Sequence, residues 1–232
     1  MDLKNAVVVV TGANRGLGRH LAAQLLERGA KVYGAARRPE TVDLEGVMPL
    51  RLDVTDEESI RSAARIASDA TLLVNNAGIS TATPLIAGDK DTVRLEMETN
   101  FFGPLAVTRE FAPVIEGNGG GAVLNVLSVL SWLHPADLGS YAAAKAATWA
   151  LTNAAREELA PRGITVSALH VGYMDTDMVR AVDAAKSAPA DIARIAIDGI
   201  AAGAYEILAD DAAHQAQAAL ATGVPALYPQ LP

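Results

Sequence analysis

The sequence predicts an α/β fold: a doubly wound, mainly parallel seven-stranded sheet with helices on both faces. Three observations predict it. Short β-branched runs alternate with longer Ala- and Leu-rich segments, the strand candidates are compact apolar runs of the kind buried on both faces, and the first of them leads straight through a glycine-rich turn into a helix. The strand candidates are residues 6–10, 30–35, 47–53, 71–75, 122–127 and 164–170, with 204–208 as the seventh.

The helices fall between them. Residues 18–28 carry Leu21, Leu25 and Leu26 at helical spacing, and 57–68 follow Thr55, with Glu58 three residues on as a capping-box pattern. Residues 91–116 read as a long helix interrupted near Gly103-Pro104, or as two segments with the proline opening the second. The clearest helix is 141–160, rich in alanine and ended by Pro161-Arg162-Gly163, and 191–203 and 211–221 complete the set. Residues 117–121 read as a helix-to-strand loop. The proline-containing end, 223–232, is expected to be extended, because proline blocks helix continuation.

With 232 residues, half of them hydrophobic, the chain has enough apolar area for a core, and one domain spanning 1–232 is expected. A formal charge of −8 argues against general nucleic-acid binding, which needs cations to neutralise phosphates. There is no cysteine, so disulfides and thiolate-held metals are excluded, and His20, His134, His170 and His214 lack zinc-like spacing; no metal site is expected. The N-terminal apolar run, Val7 to Val10, is far shorter than a signal-peptide core, and no stretch has the length of a membrane span. The expectation is a cytoplasmic protein with neither membrane nor nucleic-acid partner.

The first strand runs into Thr11-Gly12-Ala13-Asn14-Arg15-Gly16-Leu17-Gly18 and then a helix. Glycines let a backbone turn tightly and approach a diphosphate, whose charge the N–H groups at a helix start attract. The end of the second strand selects the dinucleotide, since an acid there would hold a ribose hydroxyl pair and repel an added phosphate. That position is Ala36, followed by Arg37 and Arg38, and Arg15 lies within the turn. Cations from two segments converging on one phosphate favour NADP(H) over NAD(H).

The Thr11–Gly18 turn, Asn75-Asn76-Ala77-Gly78 after the fourth strand, and Asn100, Ser128 and Tyr141-X-X-X-Lys145 in order resemble the short-chain dehydrogenases/reductases, from about Val7 to Met178. The resemblance implies a Rossmann-type fold and an NADP(H)-dependent oxidoreductase of carbonyl and alcohol groups, assembled as a homodimer or homotetramer. It implies cofactor contacts from Gly12, Asn14, Arg15, Gly16, Leu17, Gly18, Arg37, Arg38, Tyr141 and Lys145. It further implies that Asp53 and Val54 touch the adenine, that Asn76 and Ala77 border its ribose, that Gly78 binds the cofactor too, and that Gly172 and Thr176 lie beside the nicotinamide. Two departures stand out: Val171-Gly172 replaces the usual Pro-Gly, and the Gly-rich ending common in the family is absent.

Carbonyl reduction needs an acid for the developing alkoxide, and alcohol oxidation needs the same group as base. Tyr141 takes that role. A free phenol titrates near 10, so it needs a cation beside it, and Lys145, four positions on along a helix, shares its face. Ser128, at the end of the fifth strand, would polarise the substrate oxygen, with Ser131 of the same loop as its competitor. Asn100 is assigned by resemblance to holding a water that links Lys145 to solvent. His134 is read as a loop residue.

Ile79, Ser80, Leu130, Trp132, Leu133, Leu138, Tyr173 and Met178 flank these motifs and suggest a pocket for a hydrophobic ketone or aldehyde. The short Ala-rich segment 179–188 suggests a partly open site. A 3-oxoacyl-carrier reductase is the rival enzyme, and a noncatalytic NADP-sensing interaction protein is the alternative of a different class.

Overall fold

The computed structural model describes residues 1–230. Seven parallel strands, β1 (Val7–Thr11), β2 (Lys31–Ala36), β3 (Met48–Arg51), β4 (Leu72–Asn75), β5 (Gly121–Val126), β6 (Ile164–His170) and β7 (Glu206–Leu208), form one sheet in the order β3-β2-β1-β4-β5-β6-β7. All six pairings are parallel, with Val8 opposite both Val32 and Leu72. The order reverses between β1 and β4, and at such a point the strand ends open a crevice for ligands.

Period-two alternation assigns each strand residue to one of two cores. On one face Val8, Val10, Leu72, Val74 and Leu124 pack with Leu21 and Leu25 of α1 (Gly16–Glu27) and with Ile192, Ala196 and Ile200 of α6 (Pro189–Ala202). On the other, Val9, Leu73, Val123 and Val166 meet Ile60 and Ala63 of α2 (Glu57–Ile66), Val107, Phe111 and Ile115 of α4 (Gly103–Gly117), and Ala155 and Leu159 of α5 (Gly139–Leu159). Both sheet faces are covered, which is why the strands read as continuous apolar runs.

Two local expectations are corrected and one alternative is decided. The N-cap of α2 is Asp56, whose carboxylate accepts from the N–H groups of Glu58 and Ser59, while Thr55 turns its hydroxyl to Asp53. The 91–116 stretch takes the second of its two expected forms: α3 (Lys90–Met97) leads through a π-helical turn, Glu98–Phe102, into α4, which opens at Gly103-Pro104. Pro104 sits in the first turn of α4, and the π-turn is the irregularity that carries Asn100. Finally, α7 (Asp211–Leu220) is followed by a short helix, α8 (Val224–Leu227), where an extended tail is expected; Pro225 lies in its first turn, where no N–H partner is required. Residues 231–232 of that tail lie outside the described residues.

Candidate active site

The glycine-rich turn is stitched to the end of β4. Thr11 Oγ1 donates to Val74 O (3.2 Å) and accepts from the N–H groups of Asn76 (2.9 Å) and Ala77 (3.0 Å). Asn76 Nδ2 donates back to Thr11 O (2.9 Å) and Gly12 O (3.3 Å). Gly12 and Gly16 adopt φ of +68° and +52°, the left-handed region that side chains resist. The start of α1 has no side-chain cap and no acid in its first turn, so its N–H groups and dipole remain available to an anion. Leu17 is buried in the core and offers a ligand only its backbone.

Arg15, Arg37 and Arg38 are exposed around this turn, and Asn14, Asp53 and Val54 are partly buried. Arg15 lies 4.0 Å from Asp177 with both side chains more than half exposed, a contact that holds little energy. Asp53 uses Oδ1 to accept from Thr55 N and Oγ1. Gly78 lies against Asn100, and Gly16 against Thr176 of the loop after β6. The turn's glycines and uncapped helix start fit a dinucleotide diphosphate.

At the ends of β4 to β6 the predicted tetrad converges. Ser128 follows β5, and its hydroxyl accepts from Leu130 N (3.1 Å). Tyr141 and Lys145 share a face of α5, with Lys145 Nζ 5.6 Å from the phenol ring centre and donating to Val126 O (2.8 Å). Burial pushes the Tyr141 phenol above its ordinary value of 10.0, the Glu96 carboxylate adds to the rise, and a hydrogen bond with Ser128 opposes it. Burial pulls the Lys145 ammonium down to about 8. Ser131, the competitor of Ser128, has its hydroxyl buried without a partner.

The lowered proton affinity of Lys145 has a measurable sign. Between about pH 8 and 10.5 the folded protein holds fewer protons on this group than the unfolded chain, so the group's contribution to stability rises with pH across that window. The opposite displacement of Tyr141 takes effect only above its ordinary 10.0. Relative to Lys145→Met, the ligand-free wild type should gain about 2 kcal/mol between pH 7 and 10, since each tenfold change in proton affinity is worth ~1.4 kcal/mol. Paired denaturant melts check this, and a constant difference across the range refutes it.

Asn100 is fully buried, and its side chain is committed to the loop after β4: Oδ1 accepts from Ile79 N (3.0 Å) and Nδ2 donates to Ile79 O (2.9 Å). Its carbonyl accepts from Thr148 Oγ1 (2.6 Å). The side chain thus braces the Ile79 segment. Thr148 belongs to a buried polar chain that sequence reasoning missed, running from Asn75 Nδ2 to Asn125 Oδ1 (2.8 Å), from Asn125 Nδ2 to Thr152 Oγ1 (2.9 Å), and from Thr152 Oγ1 to Thr148 O (2.7 Å). Lone polar residues in apolar runs are its only trace in the sequence.

Of the expected pocket residues, Ile79, Ser80, Leu130, Leu133 and Leu138 are partly buried, and Tyr173 and Met178 are exposed, on the loops around Tyr141. Trp132 departs from its expected place in the pocket wall. It is 3% exposed and stacks on the His170 ring, centroids 3.8 Å apart. His170 is wholly buried, with Nε2 2.8 Å from Glu206 Oε2, and Arg156 Nη1 lies 3.0 Å from the other oxygen. Burial opposes ionisation of Glu206, but His170 and Arg156 outweigh it and hold the carboxyl below its ordinary range. His134 is exposed and shares a 2.7 Å hydrogen bond with Tyr228.

The loop after β6 lacks the usual proline and is held from the C-terminal side instead. Gly172 N donates to Asp210 Oδ2 (2.9 Å), Ser187 Oγ donates to the same oxygen (3.3 Å), and Ala213 N donates to Oδ1 (2.9 Å), making Asp210 the cap of α7 as well. Ser187 N donates to Tyr173 O (2.8 Å) and Asp175 N donates to Ser187 O (3.0 Å), which pairs the two ends of the segment.

A family model described as short chain dehydrogenase matches residues 6–187, which include all these loops. The chain belongs to the short-chain dehydrogenases. This short-chain dehydrogenase is 33% identical over 193 residues to the 3-oxoacyl-[acyl-carrier-protein] reductase FabG of Vibrio cholerae, covering 79% of each chain. It is 34% identical over 178 residues to an NADPH-dependent 1-acyldihydroxyacetone phosphate reductase of Schizosaccharomyces pombe, covering 73% of this chain and 60% of that one. A crystal structure of a short chain dehydrogenase from Burkholderia cenocepacia in complex with NADP superposes with a TM-score of 0.95 over all of both chains at 38% identity. Another, from Burkholderia phymatum in complex with NAD, gives 0.84 at 26% identity, covering 96% of this chain and 92% of that one. This short-chain dehydrogenase is an oxidoreductase of the nicotinamide-dependent kind, and among its described residues no helix is long and apolar enough to cross a membrane.

Proposed function

We propose that the protein is an NADPH-dependent carbonyl reductase that converts a hydrophobic ketone or aldehyde reversibly into an alcohol, with both sites in one domain. One observation carries the reading: a buried ammonium, Lys145, lies 5.6 Å from the Tyr141 ring in a chain whose first helix starts without a side-chain cap. The reduced nicotinamide supplies the hydride when bound. Tyr141 donates its phenolic proton to the oxygen of the carbon that receives it, and serves as base in the reverse direction. Ser128 directs its hydroxyl proton at that same oxygen as negative charge develops there. Lys145, anchored on Val126 O, places a positive charge beside the phenol and stabilises the phenolate left behind.

Preference for NADP(H) over NAD(H) rests on three exposed guanidinium groups, Arg15, Arg37 and Arg38, and on Ala36 where an acid would repel a phosphate. The NADP complex of the 38% identical neighbour supports it. Arg37→Ala should raise the KM for NADPH roughly tenfold, the loss of one charge-assisted hydrogen bond, and leave that for NADH within about twofold. Equal effects on both cofactors would remove Arg37 from the phosphate site.

A second reading, reduction of a carrier-bound 3-oxoacyl group, is favoured by the Vibrio cholerae relative. Turnover of free hydrophobic ketones against the same groups on an acyl carrier protein separates the two, and tight NADP binding without turnover of either would mark a sensing protein. Self-association as a homodimer or homotetramer is part of the proposal, supported by Leu95 and Phe102, which are about half exposed on the α3–α4 rod.

A further inference from the structure

The segment after β6, residues 172–187, meets the rest of the molecule at three places. The residue just before it, Val171, accepts at its carbonyl from Val129 N (3.0 Å), one residue past Ser128. Farther along, Thr176 lies against Gly16, and Asp177 stands 4.0 Å from Arg15, so the segment crosses from the Ser128 loop to the glycine-rich turn. Its neck is the third place. Gly172 N and Ser187 Oγ, from the two ends, both donate to Asp210 Oδ2 (2.9 and 3.3 Å), while Asp210 Oδ1 accepts from Ala213 N (2.9 Å) and caps α7. Only a residue without a side chain fits at 172, because a Cβ there would stand 3.0 Å from Ala212 Cβ. An N-cap needs one acceptor atom, which serine or asparagine supplies as well as aspartate. The second oxygen of Asp210, reached by donors 38 and 23 residues earlier in the chain, therefore needs its own account.

We propose that Asp210 is a positioning residue for the cofactor: by tying both ends of the 172–187 segment to the start of α7, it fixes where that segment lies and so holds the nicotinamide end of NADPH in register with Tyr141. This rests on the nucleotide reading given above. The segment suits the part because it borders both halves of the site, the Ser128 loop at its start and the turn that fits the diphosphate farther on. Beyond the neck, Thr176 and Arg180 bond within the segment itself, to Met174 O and to Asp177, and Tyr173, Asp175, Asp177 and Met178 are exposed. Its place is therefore decided at the neck, where Ser187 pairs with Tyr173 and Asp175 and Asp210 joins that pair to α7. The glycine-rich turn, by contrast, is held by Thr11 and Asn76, without Asp210. The two halves of one nucleotide thus depend on separate supports. A displacement of about 1 Å at the reacting end can cost around a hundredfold in rate, so the nicotinamide support matters to the chemistry.

Asp210→Ser keeps an acceptor for Ala213 N and gives up the second oxygen that holds Gly172 and Ser187. In the ligand-free protein, trypsin should cut after Arg180 and Lys186 about tenfold faster in this variant, the loss of one charge-assisted bond, while the melting temperature stays near that of the wild type. Calorimetric titration should show NADPH bound about tenfold more weakly, and 2′-phospho-ADP-ribose, which lacks the nicotinamide, bound within about twofold of the wild-type affinity. Weakening of both ligands alike, or of neither, in a folded Asp210→Ser protein overturns the proposal, because a merely structural role moves the two together. Should that variant not fold, Ser187→Ala, which leaves the cap untouched, decides in its place: NADPH weakened about threefold with 2′-phospho-ADP-ribose unchanged upholds the proposal, and equal effects overturn it. A wild type that binds NADH instead of NADPH fails the phosphate reading alone, and the same comparison is then made between NADH and ADP-ribose. A wild type that binds neither nucleotide ends the proposed function and the assignment of Asp210 together.

Discussion

Tyr141→Phe is expected to lose turnover by about 10²- to 10⁴-fold in both directions, the usual contribution of a positioned acid or base, while melting close to the wild type and binding NADPH with similar affinity. The expectation follows from what the phenol does and does not hold together. Its ring keeps its place on α5 in the variant, and the hydroxyl's partner, Ser128, retains its bond to Leu130 N. Little packing is lost. What disappears is the phenolic proton of the ring whose centre lies 5.6 Å from Lys145 Nζ. Steady-state rates with a hydrophobic ketone, beside fluorescence titration with NADPH, divide the two effects. A variant that binds normally and turns over normally would return Tyr141 to the status of an ordinary helix residue. A variant that fails to bind would mean that the phenolic hydroxyl itself helps to hold the nucleotide.

The contrast between Tyr141 and Glu96 explains what a sequence discloses about such a site. Tyr141 and Lys145 are spaced by one helical turn, and the Thr11–Gly18 turn is contiguous, so local geometry alone brings their chemistry together. The strands are equally legible, because burial on both faces leaves an apolar run with no alternation to misread. Glu96 carries no such signal: a carboxylate in a polar stretch, Lys90-Asp91-Thr92-Val93-Arg94, reads as solvated, and only the packing of α3 shows it is not. The same holds for Asn125, Thr148 and Thr152, whose partners lie far apart in sequence. Trp132 is misplaced by its sequence because adjacency to Ser128 says nothing of direction, and its ring turns inward onto His170. Helix ends are hard to read for a related reason. Thr55 and Asp56 both suit an N-cap, and the choice falls to Asp56 because Asp53 engages the Thr55 hydroxyl. The π-turn at Asn100 follows from no propensity, yet it carries the residue that braces Ile79.

Gly18→Ala is the second large effect, and here two magnitudes compete. Gly18 is inside α1 without a left-handed φ, so helix propensity alone would make alanine more stable by about 0.8–1 kcal/mol. Close approach decides otherwise. A Cβ at this position would stand 2.2 Å from Gly12 O and 2.5 Å from Asn76 Nδ2. Neither neighbour can give way cheaply: Gly12 O belongs to the left-handed turn, and Asn76 Nδ2 is already donating to Thr11 O and Gly12 O. Overpacking of this kind costs roughly 1–3 kcal/mol or more, enough to reverse the propensity gain, and its relief must displace the turn proposed to cradle the diphosphate. The expected result is a lower melting temperature together with at least a tenfold loss of NADPH affinity. Gly117→Ala, at the end of α4, is the internal control, because a Cβ there meets nothing within 4 Å and only the propensity difference applies. Denaturant melts and cofactor titrations of both variants make the comparison. If Gly18→Ala were stabilised as Gly117→Ala should be, with nucleotide affinity intact, the contact between α1 and the first turn could not be what shapes the diphosphate site.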